Sequence, residues 1–390
     1  MSNAPIRVGL IGAGFAAWDL KVPSYAALDG VEIVAVADPS PDARERAQRE
    51  LGIPAERCYA DPLELVAAGG VDMVDVSTPH HTHCEILVAA ADAGIPIACD
   101  KPLAMNLREA DLIIGAAERT GTPIGMLQNF RWFPSHARVT ELVGEGAIGT
   151  PTFASVNAIG VFAPDVGGEN ATSWRLRSAL AGGGILIDYG IHVIYLARAY
   201  LGGAPFTKVT AHIDRMVVRA GDVEDHATLL LETASGAYAS VSLTWGGGST
   251  GNATVFGTEG ALKVVHEGGL NAPHNAASAV ALTQGRMEQR LDPLTWEVLP
   301  LDWYYRGAIA SFVARLRGTD DTGPTVDDGR ADLEVVLAAY RSAATGEPVT
   351  LPLSAADPVY QHGAAGLRAL DLPEDSVVLR HDLFRGEADA

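Results

Sequence analysis

Arg7-Val8-Gly9-Leu10-Ile11-Gly12-Ala13-Gly14-Phe15-Ala16-Ala17 is the stretch whose reading decides the fold. Its first five residues read as a short buried strand. The rest is GxGxxA, a glycine turn opening a helix. Gly12 permits the tight turn, and Gly14 lets backbone N–H groups approach a pyrophosphate at the helix start. Alone the pattern is weak, because any glycine turn before a helix imitates it. Working outward, a second strand at Val31–Ala37 ends at Asp38, where a carboxylate can accept hydrogen bonds from an adenosine ribose. Strand, turn, helix, strand and terminal acid, in that order, imply a dinucleotide-binding domain with Phe15, Ala16 and Ala17 in its cofactor turn. Asp38 would repel a 2′-phosphate. Pro39 and Ser40 follow it, with Arg44 further along the helix, so NAD is favoured over NADP. A role for Asp38 at the N-terminus of the helix beginning at Pro41 is compatible with the ribose contact.

Further along, strands and helices alternate. Helices are expected from about Pro41 to Leu51, His83 to Ala93 and Leu107 to Arg119, with strands at 72–77, 96–99 and 123–127. Crossover connections of this kind demand a parallel sheet covered on both faces. The expectation is an α/β protein whose N-terminal doubly wound Rossmann domain spans 1–128. Beyond it the period falls to two. Ala237, Ala239, Val241, Leu243 and Trp245 alternate with Tyr238, Ser240, Ser242 and Thr244, and Ala227 to Thr233 leads into Ser235-Gly236. This reads as an antiparallel hairpin with one apolar face and one Ser/Thr face. Late helices carry Ile309, Phe312, Val313 and Leu316, then Leu333, Val336, Leu337 and Tyr340. A substrate and oligomerisation domain at 129–353 with an open, largely antiparallel sheet is expected, then an extension at 354–390. The extension shows no strong periodicity and its last residues, 386–390, read as frayed.

Charge narrows the partners. Lys plus Arg number 28 against 48 Asp plus Glu, a net −20 among 390 residues, which argues against nucleic acid or anionic membrane. Cys58, Cys84 and Cys99 have neither metal-ligand nor disulfide-framework spacing. No apolar run reads as long enough to span a bilayer, and no signal peptide is evident. The expected compartment is the cytoplasm. His80, His81 and His83 invite a metal, but no Cys or carboxylate stands at a suitable spacing, so none is expected.

The chemistry concentrates in Gly182-Gly183-Gly184-Ile185-Leu186-Ile187-Asp188-Tyr189-Gly190-Ile191-His192. Asp at i and His at i+4 share a helix face, so the carboxylate can orient the imidazole and stabilise its protonated form. The glycines would let backbone pass close to a ligand.

Taken together, the ordered motifs resemble the Gfo/Idh/MocA oxidoreductases, a likeness running from about Ile6 to Leu353. They are the GxGxxA turn, Ser77-Thr78-Pro79-His80-His81-Thr82-His83, Asp100-Lys101-Pro102-Leu103-Ala104 and Asn129-Phe130-Arg131-Trp132. Trp174-Arg175, Asp188-x-Gly-x-His192, Gly257-Thr258-Glu259-Gly260 and Thr345-Gly346 complete the set. The resemblance implies that nicotinamide and substrate meet in a cleft between the domains. Lys101 matches the family's catalytic lysine, Asp188 its site aspartate and His192 its usual acid/base. Ser77, Thr78, Pro79, His83 and Asp100 match the loops beside the cofactor. Arg131, Trp174 and Arg175 are candidate substrate contacts.

Two positions depart from the family pattern. Asp100 replaces the usual Glu, and Tyr195 stands where many members carry Asp. The resemblance implies an NAD(P)-dependent dehydrogenase of a sugar, sugar derivative or cyclitol, with the protein a homodimer or homotetramer through the open sheet. Chemistry supports the same roles: His192 is a suitable base for a secondary hydroxyl, and the Lys101 cation could hold the alkoxide. Two alternatives stand beside it: an NAD-dependent glycoside-cleaving enzyme using transient oxidation, and a sugar- or nucleotide-sensing protein without catalysis.

Overall fold

Short runs such as Val8–Ile11 and Ile97–Cys99 are apolar on both faces, so they are stable as strands only when covered from both sides. The computed structural model describes residues 4–161, 173–246, 250–266, 278–291 and 303–386. Six such runs form a parallel sheet: β1 (Ile6–Ile11), β2 (Val31–Ala37), β3 (Cys58–Tyr59), β4 (Met73–Val76), β5 (Ile97–Cys99) and β6 (Ile124–Met126). Their order is β3-β2-β1-β4-β5-β6, the doubly wound arrangement expected. The order reverses between β1 and β4, which opens a crevice at the carboxyl ends of those strands. β3 has two residues, too few for its periodicity to be legible.

Helices Pro41–Leu51, His83–Asp92 and Leu107–Thr120 fall within a residue of expectation. The first shows why. Ser40 Oγ accepts the Ala43 N–H at 3.4 Å, Pro41 opens the helix, and Gly52 closes it at a φ of 68°.

Among the described residues the second sheet has nine strands: β7 (Pro151–Ile159), β8 (Phe206–Asp214), β9 (His226–Thr233), β10 (Tyr238–Thr244), β11 (Thr250–Gly257), β12 (Ala261–His266), β13 (Ser278–Gln284), β14 (Met287–Leu291) and β15 (Val349–Thr350). They lie in the order β14-β13-β12-β11-β7-β10-β9-β8-β15. β9 and β10 form the expected hairpin, while β7 runs parallel to β10, so the sheet is mixed and mostly antiparallel. Leu229, Leu231, Ala239, Val241 and Leu243 are buried on one face. The helix Ile191–Tyr200 packs against β7 and β10.

That helix corrects one expectation. The helical run Ser178–Tyr200 is long and apolar enough to cross a membrane. Most of it is buried inside the protein, and a helix covered on all sides becomes apolar all round.

The compact units are interleaved along the chain. One comprises Met1–Ala104, Glu109–Asn129 and Pro300–Arg330; the other comprises Met105–Arg108, Phe130–Leu299 and Ala331–Ala390. Pro300–Arg330 joins the first because β6 is an edge strand: Gly125 bridges to Thr325, and Met126 N–H donates to Pro324 O at 3.1 Å. Residues 354–386 belong to the second unit. They fold as short helical turns, too brief for a periodic signal, and bury Val377, Val378, Leu383 and Phe384. Residues 387–390, read above as frayed with Gly386, lie outside the described residues.

Gly125 marks how tightly the helix Trp303–Leu316 sits on β6, since a Cβ there would lie 2.3 Å from the Phe312 ring. Gly125→Ala should therefore cost about 1–3 kcal/mol through overpacking. A thermal unfolding midpoint equal to that of the parent would show that Phe312 can move aside.

Candidate functional site

The glycine turn is shaped by its neighbours. Gly12 adopts a φ of 87°, and a Cβ there would lie 2.7 Å from Ser77 O, so backbone fills the space a side chain would need. Gly12 N–H donates to Ala37 O at 2.8 Å, pinning β1 to β2. Gly14 has no atom within 4 Å of a built Cβ, so its backbone is open to a ligand. Phe15 is exposed and Ala17 buried, as the turn requires.

Asp38 is half-buried, and its Oδ2 accepts the Ala13 N–H at 2.8 Å while Oδ1 accepts the Ser40 N–H at 2.8 Å. Each oxygen keeps a second lone pair for a ribose hydroxyl. Arg44 folds back from its helix, donating to the carbonyls of Asp38 at 2.7 Å and Pro39 at 2.9 Å. A turn that only glycine fits, an open backbone beyond it and a fixed carboxylate at the end of β2 suit NAD.

Below the crevice lies a cluster that sequence reasoning missed. Lys21 ends a π-helical turn, Ala16–Lys21, and is fully buried. Its ammonium donates to Asp75 Oδ1 at 2.8 Å and Ser77 Oγ at 2.6 Å, and lies 3.2 Å from Asp100 Oδ2. Tyr25 OH donates to Asp75 Oδ2 at 2.8 Å, and Tyr305 OH to Asp100 Oδ2 at 3.0 Å. Burial alone would push Lys21 down, but Asp100 and Asp75 hold its ammonium above the ordinary value. Burial would likewise raise Asp100, yet the cations of Lys21 and then Lys101 keep it below the usual carboxylate range.

Asp100 Oδ1 accepts the Lys101 backbone N–H at 2.8 Å, so the cluster sets the main chain from which Lys101 projects. His83 ties this loop to its neighbour, with Nδ1 2.8 Å from Pro102 O and Nε2 3.1 Å from Thr78 O. Burial pushes its imidazole down against the pull of those carbonyls, and the neutral ring donates to one of the two at a time. The first unit thus brings together the glycine turn, Asp38, Ser77, Thr78, Pro79, His83, Asp100 and Lys101.

The second unit carries Arg131, Trp174, Arg175, Asp188 and His192. Asp188 lies in a π-helical turn, Leu186–Gly190, and His192 in the α-helix that continues it, so the pair does not sit on the regular α-turn expected. Arg175 Nε is 3.5 Å from Asp188 Oδ2, and its guanidinium lies 4.5 Å from the Trp174 ring centroid. The His192 ring stacks on Phe130 at 4.3 Å. Its Nδ1 is 3.0 Å from Tyr195 OH, whose oxygen also accepts the Phe130 N–H at 2.9 Å. Tyr195 therefore sets a neutral phenol beside His192, one that burial pushes well above its ordinary value. Arg131 follows Phe130 in the 3₁₀ turn Asn129–Trp132. Residues 162–172, just before Trp174, lie outside the described residues.

With this geometry in place, comparisons extend it. Residues 6–127 match the profile of the oxidoreductase family with an NAD-binding Rossmann fold, and residues 136–263 match the GFO/IDH/MocA C-terminal domain. A D-apiose dehydrogenase of Paraburkholderia graminis is 30% identical over 88% of this chain and 88% of its own. A scyllo-inositol 2-dehydrogenase (NAD(+)) of Bacillus subtilis is 29% identical over 90% of this chain and 98% of its own. A levoglucosan dehydrogenase solved with NADH and levoglucosan superposes with a TM-score of 0.75 at 26% identity, covering 90% of this chain and 100% of its own.

Removing the cation from the buried cluster strands two carboxylates. Lys21→Met should cost about 3–5 kcal/mol and lower the thermal midpoint accordingly. Adding Asp75→Asn should recover part of the loss by removing one stranded charge. A midpoint indifferent to Lys21→Met would show that water already reaches the pair.

Proposed function

From the chain's membership of the Gfo/Idh/MocA oxidoreductase family, we propose that it oxidises a secondary hydroxyl of a sugar, sugar derivative or cyclitol, or reduces the matching ketone, with NAD. Gly12, Gly14, Phe15, Ala16, Ala17 and Asp38 would hold the adenosine and pyrophosphate, with Ser77, Thr78, Pro79, His83, Asp100 and Lys101 at the nicotinamide end. NAD supplies the hydride acceptor. Lys101 donates from its ammonium to the reacting oxygen and stabilises the negative charge developing there. His192 takes the hydroxyl proton at Nε2. Arg131, Trp174, Arg175 and Asp188 orient the other hydroxyls, Asp188 with its carboxylate turned towards Arg175.

The observation that carries the reading is the clamp on His192. For Nε2 to accept a proton, Nδ1 must carry the hydrogen, and Tyr195 OH stands 3.0 Å away to receive it. Stacking on Phe130 fixes the plane of the ring.

Assembly and location belong to the same reading. Phe153, Tyr238 and Phe256 form an aromatic row across adjacent strands β10, β7 and β11, with centroid separations of 4.8 and 5.7 Å. Tyr238 and Phe256 are exposed on the face the sequence showed as Ser/Thr. This face is proposed as the contact of a homodimer or homotetramer, with Phe256→Glu expected to give a smaller species by light scattering. An unchanged mass would place the contact elsewhere. The charge of −20 and three free cysteines support a cytoplasmic enzyme.

Turnover is read from the absorbance of reduced cofactor over a panel of inositols, aldoses and anhydrosugars. His192→Asn should lower kcat by about 10²–10⁴ and Lys101→Met by about 10²–10³, both with the NAD dissociation constant preserved. Parental kcat in either variant would remove that residue from the chemistry.

A further inference from the structure

Glu224 precedes β9 and is fully buried, yet it is not part of the acid–base set. Its Oε2 accepts the Gly184 N–H at 2.9 Å, and Oε1 accepts the Leu186 N–H at 2.9 Å and the Tyr340 hydroxyl at 3.0 Å. Its main-chain carbonyl accepts the Ile185 N–H at 3.2 Å. A Cβ on Gly184 would lie 1.9 Å from that carbonyl oxygen, so the strand entry and the turn are in direct contact. The turn leads straight into the π segment bearing Asp188, whose own N–H donates to Gly184 O at 3.0 Å. His192 follows on the next turn.

Behind Glu224 the C-terminal segment closes the stack. The Phe384 ring meets Tyr340 edge-on at 5.0 Å, and Phe384 N–H donates to Asp222 O at 2.8 Å.

We propose that Glu224 is the positioning residue for Asp188 and His192, setting the turn that carries them through three hydrogen bonds that only a carboxylate can accept together. The proposal rests on the acid–base reading of His192 given above.

A carboxylate is acceptor-only, so all three donors are met. A proton on Oε2 would turn a charged acceptor into a hydroxyl oxygen and weaken its bond to the Gly184 N–H. A proton on Oε1 would force the Tyr340 hydroxyl to accept instead of donate. Either change loosens the turn, and catalytic groups displaced by about 1 Å can lose about 10²-fold in rate.

The geometry also makes the carboxyl sensitive to pH. Burial pushes Glu224 up to about 7, against the N–H groups of Leu186 and Gly184 and the Tyr340 hydroxyl, which favour its charge. Tyr340, on the helix Val326–Thr345, is the titratable group bonded to it and is itself raised by burial and by Glu224. The flanking acids face elsewhere: Asp222 binds Ser178 and the Arg385 N–H, and Asp225 binds His226 and the N–H groups of Met216, Val217 and Val218. On the turn, Asp188 faces Arg175, and His192 faces Tyr195.

The signs for activity and stability then oppose. Turnover falls as pH drops through about 7, because the turn needs the charged form. The folded carboxyl holds its proton more tightly than an unfolded one. Its contribution to stability is therefore present below the ordinary carboxyl range and lost as pH rises through about 7.

The test is a pH profile of kcat at saturating NAD and polyol, with thermal midpoints over the same range, for the full chain and two variants. Tyr340→Phe keeps the ring and deletes one donor to the carboxylate. It should move the acid limb of kcat upward by about half a unit to one unit. Glu224→Gln should lose tenfold or more in kcat with NAD affinity retained, and should flatten the pH dependence of the midpoint near neutrality. A role in folding alone would lower the midpoint and leave the limb of Tyr340→Phe on that of the parent; that result overturns the proposal. So does parental kcat in Glu224→Gln. Should Glu224→Gln fail to fold, Tyr340→Phe decides. Inactivity of His192→Asn beside parental profiles in both variants would sink this inference and spare the acid–base reading. Full turnover in His192→Asn would remove the premise and the proposal with it.

Discussion

A carboxylate taken out of water must be met by cations or by several donors, and that demand organises both halves of this protein. In the first unit Asp75 and Asp100 surround the Lys21 ammonium, and Asp100 passes the constraint to the main chain at Lys101. In the second, Glu224 gathers two N–H groups and a phenol around the turn that carries Asp188. Neither cluster touches bulk solvent freely, so neither can rearrange without leaving a charge unmet. Each cluster thereby ties down the main chain just before Lys101 or Asp188.

Both clusters border a π-helical turn. Ala16–Lys21 delivers a lysine to the interior of the sheet domain, and Leu186–Gly190 presents Asp188 just ahead of His192. A π turn inserts a residue into a helix and costs hydrogen-bond geometry, so it persists where the surroundings over-determine it. Here the over-determination comes from the buried carboxylates. The long apolar run Ser178–Tyr200 belongs to the same logic: most of it is buried, which leaves its few polar groups to be fixed by specific partners.

Much of this was legible in the residues. The doubly wound sheet followed from apolar runs alternating with helices; the helix beginning at Pro41 was read as well, though its N-cap is Ser40 and not Asp38. Asp38 at the end of β2 was readable because its role depends on one local position. Lys21 was not, since a lone lysine beside a glycine turn reads as a surface residue, and its partner Asp75 lies 54 positions away. Glu224 was hidden for the same reason, with Tyr340 116 positions distant. Residues 354–386 lacked periodicity because short turns bury isolated side chains such as Phe384. Tyr195 could be found, because three residues beyond His192 it shares the helix face.

In the proposed function this constrained scaffold moves a hydride from a carbinol carbon to NAD. Mass spectrometry of the cofactor after reaction with a ring polyol deuterated at its carbinol carbons tests it directly. One deuterium should appear in the reduced cofactor, in step with ketone. Ketone or cleavage product formed while the cofactor stays unlabelled would contradict it.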